Sequence, residues 1–276
     1  MSAKTDWLKI LVQCKDNVKT KIRPYLELAS AQQPALGTGA GGDPMKPVDL
    51  AAEKAIVEVI SQYLSAFTLV SEESGVKAFG ANPAQCYVTV DPIDGTTNLV
   101  RGLPFYATSI AVSTMPTLST VFAGLVADLY HHTTYTAIEG GGAYRDGKKI
   151  TPSSRTSLED AVIGLDLNSY RVKEIAPQLS DLIEKTGHIR HFGANALELC
   201  YVAEGLTDAF VDIRGKLRVT DLAAGYLILK EAGGVITAPE GQALAATLDP
   251  TQKIKFVASG NEQLHKKILG LVRLKC

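Results

Sequence analysis

Apolar residues recur at helical spacing over residues 7–31, at Leu8, Leu11, Val12, Val18 and Ile22, which predicts one amphipathic helix that Pro24 can break. The stretch from Gly37 to Pro44 has no periodicity and is rich in glycine, so it reads as a flexible loop. A second helix is predicted over 49–64, with Ile56, Val59, Ile60 and Tyr63 on its buried stripe and Asp49 as N-cap or first-turn acid. The texture then changes to short β-branched runs at 68–71, 86–90, 109–113, 121–129 and 134–138, separated by glycine turns such as 140–142 and Arg145-Asp-Gly147. The second half alternates strand and helix: strands at 161–165, 209–212 and 256–259, and helices at 175–185, 194–205, 222–232 and at the end of the chain. No linker, repeat or low-complexity tract interrupts the pattern, so α/β layers sharing one core fit better than two independent domains.

Composition narrows the function. Apolar residues make up 46% and charged residues 21%, with a formal net charge of -1 and no long run of like charge. That leaves no electrostatic footprint for nucleic acid or a membrane surface. No signal peptide or membrane span is read. The four cysteines show no C-x-x-C spacing, so a reduced cytoplasmic protein is expected and a zinc site is not. Neighbouring His131 and His132 point to opposite faces of a strand and are read as structural.

Gly37, Gly39 and Gly42 match G-x-G-x-x-G. A dinucleotide fingerprint must follow a strand and open a helix, whereas here a helix precedes and prolines follow. The informative segment is Asp91-Pro-Ile-Asp-Gly-Thr-Thr-Asn98, entered from a predicted buried strand. Two aspartates three apart would converge on one turn, and such a pair is costly unless cations neutralise it. Hard divalent ions suit carboxylate and carbonyl oxygens. Gly95 permits close approach, and Thr96 and Thr97 offer hydroxyls and N–H groups at a helix start. Alone, the segment also reads as a plain Asp-Gly turn. Likewise Ser71-Glu-Glu-Ser74 reads as a solvated acid pair, and Asp221 as a first-turn acid favoured by the helix dipole.

Taken together the three blocks resemble the inositol monophosphatase family. The chain carries an acidic pair at Glu72-Glu73, then D-P-I-D-G-T-T-N about twenty residues on, then D-x-A-A-x-x-x-I-x-x-E-A-G-G from Asp221 to Gly234. Leu103-Pro-Phe105 also agrees. The resemblance spans nearly the whole chain. It implies an α+β fold of layered αβαβα type, as in sugar phosphatases, with residues 1–150 carrying most metal ligands and 151–276 the last ligand and substrate contacts, packed as one unit. It implies Glu72, Asp91, the Ile93 carbonyl, Asp94 and Asp221 as ligands of two Mg2+ ions, with Glu73 helping to retain a third and Mn2+ as a substitute. The implied catalytic residues are Asp49, Thr96 and Glu72, the first two as a proton-handling pair. Gly95, Thr96 and Thr97 would take the phosphate.

The region from Val211 to Asp221 differs by about two residues in spacing from the inositol-specific pattern and is similar to the archaeal branch, whose members act on both fructose 1,6-bisphosphate and inositol 1-phosphate. That dual activity is the expectation. Asp212 would serve substrate hydroxyls. Arg214, Lys216 and Arg218, joined by Arg190 ahead of the Asn195 helix entry, would hold a second anion. A strict inositol monophosphatase, an NADP or nucleotide phosphatase, a histidinol-phosphate phosphatase and a non-catalytic binding protein remain alternatives. The family's habit implies a homodimer or homotetramer, with a small phosphorylated sugar or polyol as substrate.

Overall fold

The computed structural model describes residues 5–27, 34–83, 85–167 and 171–273. Helix α1 (Trp7–Leu26) carries Pro24 in its last turn without breaking, because the ring displaces only bonds to the turn before it. Residues 28–31 of the predicted helix lie outside the described residues. The predicted loop is instead a small hairpin of β1 (Gly37–Thr38) and β2 (Pro44–Met45). Helix α2 (Pro47–Tyr63) begins two residues before the predicted start, with Pro47 in its first turn and Asp49 as the third helical residue.

The strands β3 (Phe67–Ser71), β4 (Gly75–Phe79) and β5 (Tyr87–Asp94) follow, then the short helix α3 (Thr96–Arg101) and the meander β6 (Ala107–Ser113), β7 (Val121–Asp128), β8 (Thr134–Ile138), β9 (Gly142–Arg145) and β10 (Lys148–Lys149). They form one eight-stranded sheet in the order β10-β9-β8-β7-β6-β5-β3-β4. Every neighbouring pair is antiparallel except β3 and β5. The second half supplies β11 (Val162–Leu165), α4 (Val172–Lys185), β12 (His188–Arg190), α5 (Asn195–Glu204), β13 (Ala209–Arg218), α6 (Val219–Ala232), β14 (Val235–Thr237), β15 (Lys253–Ser259) and α7 (Glu262–Leu269). Its five strands run in the order β12-β11-β13-β15-β14.

The strand period of two assigns side chains to layers. On β6 and β7, Ile110, Val112, Ala123 and Leu125 pack with α1 and α2, whereas Ala107, Ala111, Val121 and Val126 pack with α5 and α6. On β13, Phe210 joins that same central core, while Ala209, Val211 and Ile213 pack with α4 and α7. The result is the layered αβαβα architecture, with α5 and α6 sandwiched between the two sheets. Helix α6 is apolar on almost every face and buried nearly throughout, as a helix covered by two sheets must be. Among the described residues no helix is long and apolar enough to cross a membrane.

Two strands run further than their β-branched cores suggest. Strand β5 stays paired with β6 through Asp94, with a register shift between Asp91 and Asp94, so the two aspartates lie on a bulged strand end and not on a separate turn. Strand β13 reaches Arg218 across an irregularity between Asp212 and Leu217 and runs directly into α6.

Candidate metal centre

Three chain segments converge at one end of the large sheet. Glu72 follows the last residue of β3, Asp91 sits in the bulged end of β5, and Asp221 is the third residue of α6. Each offers a carboxylate oxygen, and these oxygens all lie within 4.8 Å of one another. All three residues are buried. Burial and mutual repulsion push Glu72 and Asp91 well above the usual carboxylate range. Asp91 Oδ1 has no hydrogen-bond partner among the described residues. A hard, multivalent cation answers both facts, since it neutralises the cluster and satisfies the orphan oxygen. The residues therefore fit a hard divalent ion.

Asp94 lies beside this trio but outside it. Its carboxylate accepts from the Asn195 N–H at 3.1 Å and the Ala196 N–H at 2.7 Å, the first turn of α5. Burial first, and Asp221 second, raise it to about 7. The Ile93 carbonyl accepts from the Thr96 hydroxyl at 2.9 Å. Glu73 is not one of the trio, and the charges of Asp49 and Glu53 act on it. Burial and those two acids raise it to about 8, and its Oε2 is buried without a partner among the described residues.

Asp49 and Thr96 meet, although 47 positions apart: the Thr96 hydroxyl stands 3.1 Å from Asp49 Oδ1. The other oxygen of Asp49 accepts from the Lys46 N–H at 2.7 Å, which fixes the carboxylate. Burial lifts Asp49 to about 6, against the lowering effect of those two hydrogen bonds. Gly95 enters α3 with φ 84°, and a Cβ there would meet Ala194 Cβ at 3.1 Å and the Phe105 carbonyl at 3.1 Å. Glycine is required on both counts. Asn98 Nδ2 donates to the carbonyls of Phe105 and Phe192 at 2.8 Å each, tying α3 to the loop ahead of α5. Thr97 is exposed on the first turn of α3.

The structure disperses the residues expected to hold a second anion. Arg218 is buried among the metal-site acids: Nη2 lies 2.7 Å from Glu72 Oε1 and Nε 3.2 Å from Asp221 Oδ1, while Nη1 lies 2.6 Å from Asp43 Oδ2. Arg214 is buried too, with Nε and Nη2 on Asp212 at 3.0 and 2.7 Å and Nη2 also on Asp166. Asp212 is wholly inaccessible and held by that pair, so it is not presented to substrate hydroxyls. Lys216 and Arg190 are exposed, and Arg190 Nη1 donates to the Ile189 carbonyl. The irregularity of β13 between Asp212 and Leu217 breaks the alternation that would put residues 214, 216 and 218 on one face, and the two arginines end among different carboxylates. Asn195 contributes its N–H to Asp94, and its side-chain Oδ1 is buried without a partner among the described residues.

Several residues of the site escaped the sequence reading. Glu53, one turn beyond Asp49 on α2, accepts from the Ser71 hydroxyl and from the Ser74 N–H at 3.2 Å, fixing the Glu72-Glu73 corner. Its i,i+4 spacing from Asp49 is the signal that could have found it. Glu198 accepts from the N–H groups of Phe192 and Gly193 at 3.2 and 3.1 Å, and burial raises it to about 8. The hairpin is also part of the centre: the Gly41 N–H donates to the Glu72 carbonyl at 2.7 Å and the Ala40 N–H to the Glu73 carbonyl at 3.0 Å. A Cβ on Gly41 would meet Arg218 Cδ at 2.8 Å and Glu72 Cγ at 2.9 Å. Gly39 and Gly41 allow close approach to the acidic corner, which no local periodicity reveals.

Comparison with known proteins agrees with this geometry. The model of the inositol monophosphatase family matches residues 3–275. The chain is 36% identical to fructose-1,6-bisphosphatase/inositol-1-monophosphatase of Methanothermobacter thermautotrophicus, over 95% of each chain. It is 33% identical to bifunctional NADP phosphatase/NAD kinase of Methanococcus maripaludis over 96% of this chain, spanning 49% of that longer protein. The crystal structure of extragenic suppressor protein SuhB from Bartonella henselae superposes with a TM-score of 0.84 at 30% identity, covering 99% of this chain and 100% of that one.

Proposed function

The chain belongs to the inositol monophosphatase family of phosphatases, and on that premise we propose that it hydrolyses phosphomonoesters of small sugars and polyols with Mg2+, acting on both fructose 1,6-bisphosphate and inositol 1-phosphate. The convergence of Glu72, Asp91 and Asp221, with Asp91 Oδ1 orphaned among them, carries the metal-dependent reading. When bound, the ion supplies Lewis acidity at the phosphoryl group and lowers the pKa of water.

The protein's own residues do the rest. Gly95 sets the backbone entry to α3, so that Thr96 and Thr97 meet the substrate phosphate from the helix start. The single Thr96 proton is shared between Asp49 Oδ1 and the Ile93 carbonyl, which leaves the oxygen's lone pairs to accept from a water. As that water attacks phosphorus, its proton passes to Thr96 Oγ1 while the Thr96 proton passes to Asp49, and the ester P–O bond breaks to release the substrate alkoxide, which takes a proton from solvent. A carboxylate lifted to about 6 is basic enough to receive the Thr96 proton near neutral pH. Asn195 Oδ1 has no donor among the described residues, which supports a role in accepting from a substrate hydroxyl. With Arg214 neutralised by two aspartates, a second phosphate would be met by exposed Arg190 or Lys216.

The test is phosphate release with Mg2+ from fructose 1,6-bisphosphate, inositol 1-phosphate and NADP, side by side. Turnover of the first two supports the proposal. Activity on inositol 1-phosphate alone leaves a strict monophosphatase, and activity confined to NADP, the substrate in the name of the Methanococcus maripaludis relative, overturns the substrate class.

A further inference from the structure

The buried acids of the metal corner already hold one cation. Arg218 is the last residue of β13 and the N-cap of α6, and its backbone N–H donates to Asp221 Oδ2 at 3.3 Å. Its guanidinium forks three ways, to Glu72 at 2.7 Å, Asp221 at 3.2 Å and Asp43 at 2.6 Å. It therefore covers two of the three carboxylates that would ligate the ion and leaves the third, Asp91, with an oxygen that has no partner among the described residues. A planar guanidinium in this position is fixed by its fork, unlike a mobile counter-ion. The hairpin closes on it: Gly41 packs where any Cβ would strike Arg218 Cδ and Nη1 at 2.8 and 2.9 Å, and Lys253 Nζ donates to the Gly41 carbonyl at 3.0 Å.

We propose that Arg218 is the built-in counter-cation of the metal corner, a positioning residue that competes with the divalent ion for Glu72 and Asp221 and, through Asp43, anchors the Gly37–Met45 hairpin over them. It stabilises the ion-free fold by neutralising carboxylates that would otherwise be buried unpaired. The same positive charge weakens binding of the ion, so the site gains reversibility at the expense of affinity. The inference rests on the reading of Glu72, Asp91 and Asp221 as metal ligands.

The test is isothermal titration of Mg2+ and Mn2+ into the full chain, with thermal unfolding in EDTA alongside. Arg218→Gln removes the charge and is expected to tighten metal binding on the order of tenfold or more, the scale of groups that act on ligands and not on the metal directly. It should also lower the Tm in EDTA and increase hydrogen exchange at the amides of residues 39–43. Arg218→Lys keeps the charge but loses the fork, so it should restore a Kd within about threefold of wild type while the hairpin stays loosened. Asp43→Asn should loosen the hairpin and leave the Kd within the same range. An Arg218→Gln Kd that is unchanged or weaker, with wild type binding normally, overturns the inference and leaves the metal reading intact. If that variant does not fold, a tenfold change in Kd for Arg218→Lys overturns it. Absence of binding by wild type overturns the ligand reading and the inference together.

Discussion

The Thr96 hydroxyl lies 3.1 Å from Asp49 Oδ1, joining the first turn of α3 to the first turn of α2 across the top of the large sheet. If the two act as one proton relay, their losses are not additive. Asp49→Asn and Thr96→Ala should each lower kcat by about 10²–10⁴-fold, and the double variant by little more than either single one. Thr96→Ser should retain most of the rate. Burial raises Asp49 to about 6, and the unprotonated form accepts the proton, so activity should fall as pH drops through about 6. A pH–rate profile of Asp49→Asn that keeps this acid limb assigns it to another group.

Asp91 is opposed by burial and by its acidic neighbours Glu72, Asp94 and Asp221. Asp91→Asn should abolish metal binding and activity yet stabilise the ion-free protein, because an amide of the same shape carries no charge to repel. A Tm rise of roughly 2–4 °C in EDTA corresponds to about 1 kcal/mol at this size. Mg2+ should raise the Tm of wild type and not of the variant. Metal-dependent stabilisation surviving in Asp91→Asn argues against its ligand role.

Glu198 is raised to about 8 in the folded chain by burial, from an ordinary value near 4.3 when unfolded. The folded state thus holds more protons than the unfolded one between those values, and this group's contribution to stability falls as pH rises through the window. Glu198→Gln keeps the acceptor for the Phe192 and Gly193 N–H groups and removes the titration. Its stability relative to wild type should be higher at pH 8 than at pH 5. Equal differences at both pH values would show that Glu198 does not titrate there.

Arg214 is clasped by Asp166 and Asp212, all three buried. Arg214→Ala leaves two uncompensated carboxylates and should cost about 3–5 kcal/mol of stability. It should depress activity on fructose 1,6-bisphosphate and inositol 1-phosphate alike. A stable variant with a selective defect on the bisphosphate, measured by chemical denaturation and by KM for both substrates, would restore the distal-phosphate role.

Residues that act through their own segment are legible in the sequence. The D-P-I-D-G-T-T-N block, the Glu72-Glu73 pair and Asp221 each lie at a junction between strand and loop or strand and helix, and local patterning marks such junctions. The same patterning supported α/β layers sharing one core, and the αβαβα order came from the family resemblance of the three blocks. The Gly37–Met45 hairpin was misread, since its shape is imposed by the Glu72 and Glu73 carbonyls that it bonds.

By itself the sequence determined which residue types gather for divalent-ion chemistry, because the identity and order of carboxylates, glycines and threonines are properties of the chain. The tertiary structure alone decided which charges face one another. Arg214 and Arg218 are both basic residues on one strand, yet β13 carries one into Asp166 and Asp212 and the other into Glu72, Asp221 and Asp43. Asp43 and Arg218 stand 175 positions apart, and Glu72 follows a strand of the large sheet whereas Asp221 lies in helix α6. A charge's role depends on its nearest opposite charge and on the burial around it, and both are fixed only when distant segments pack.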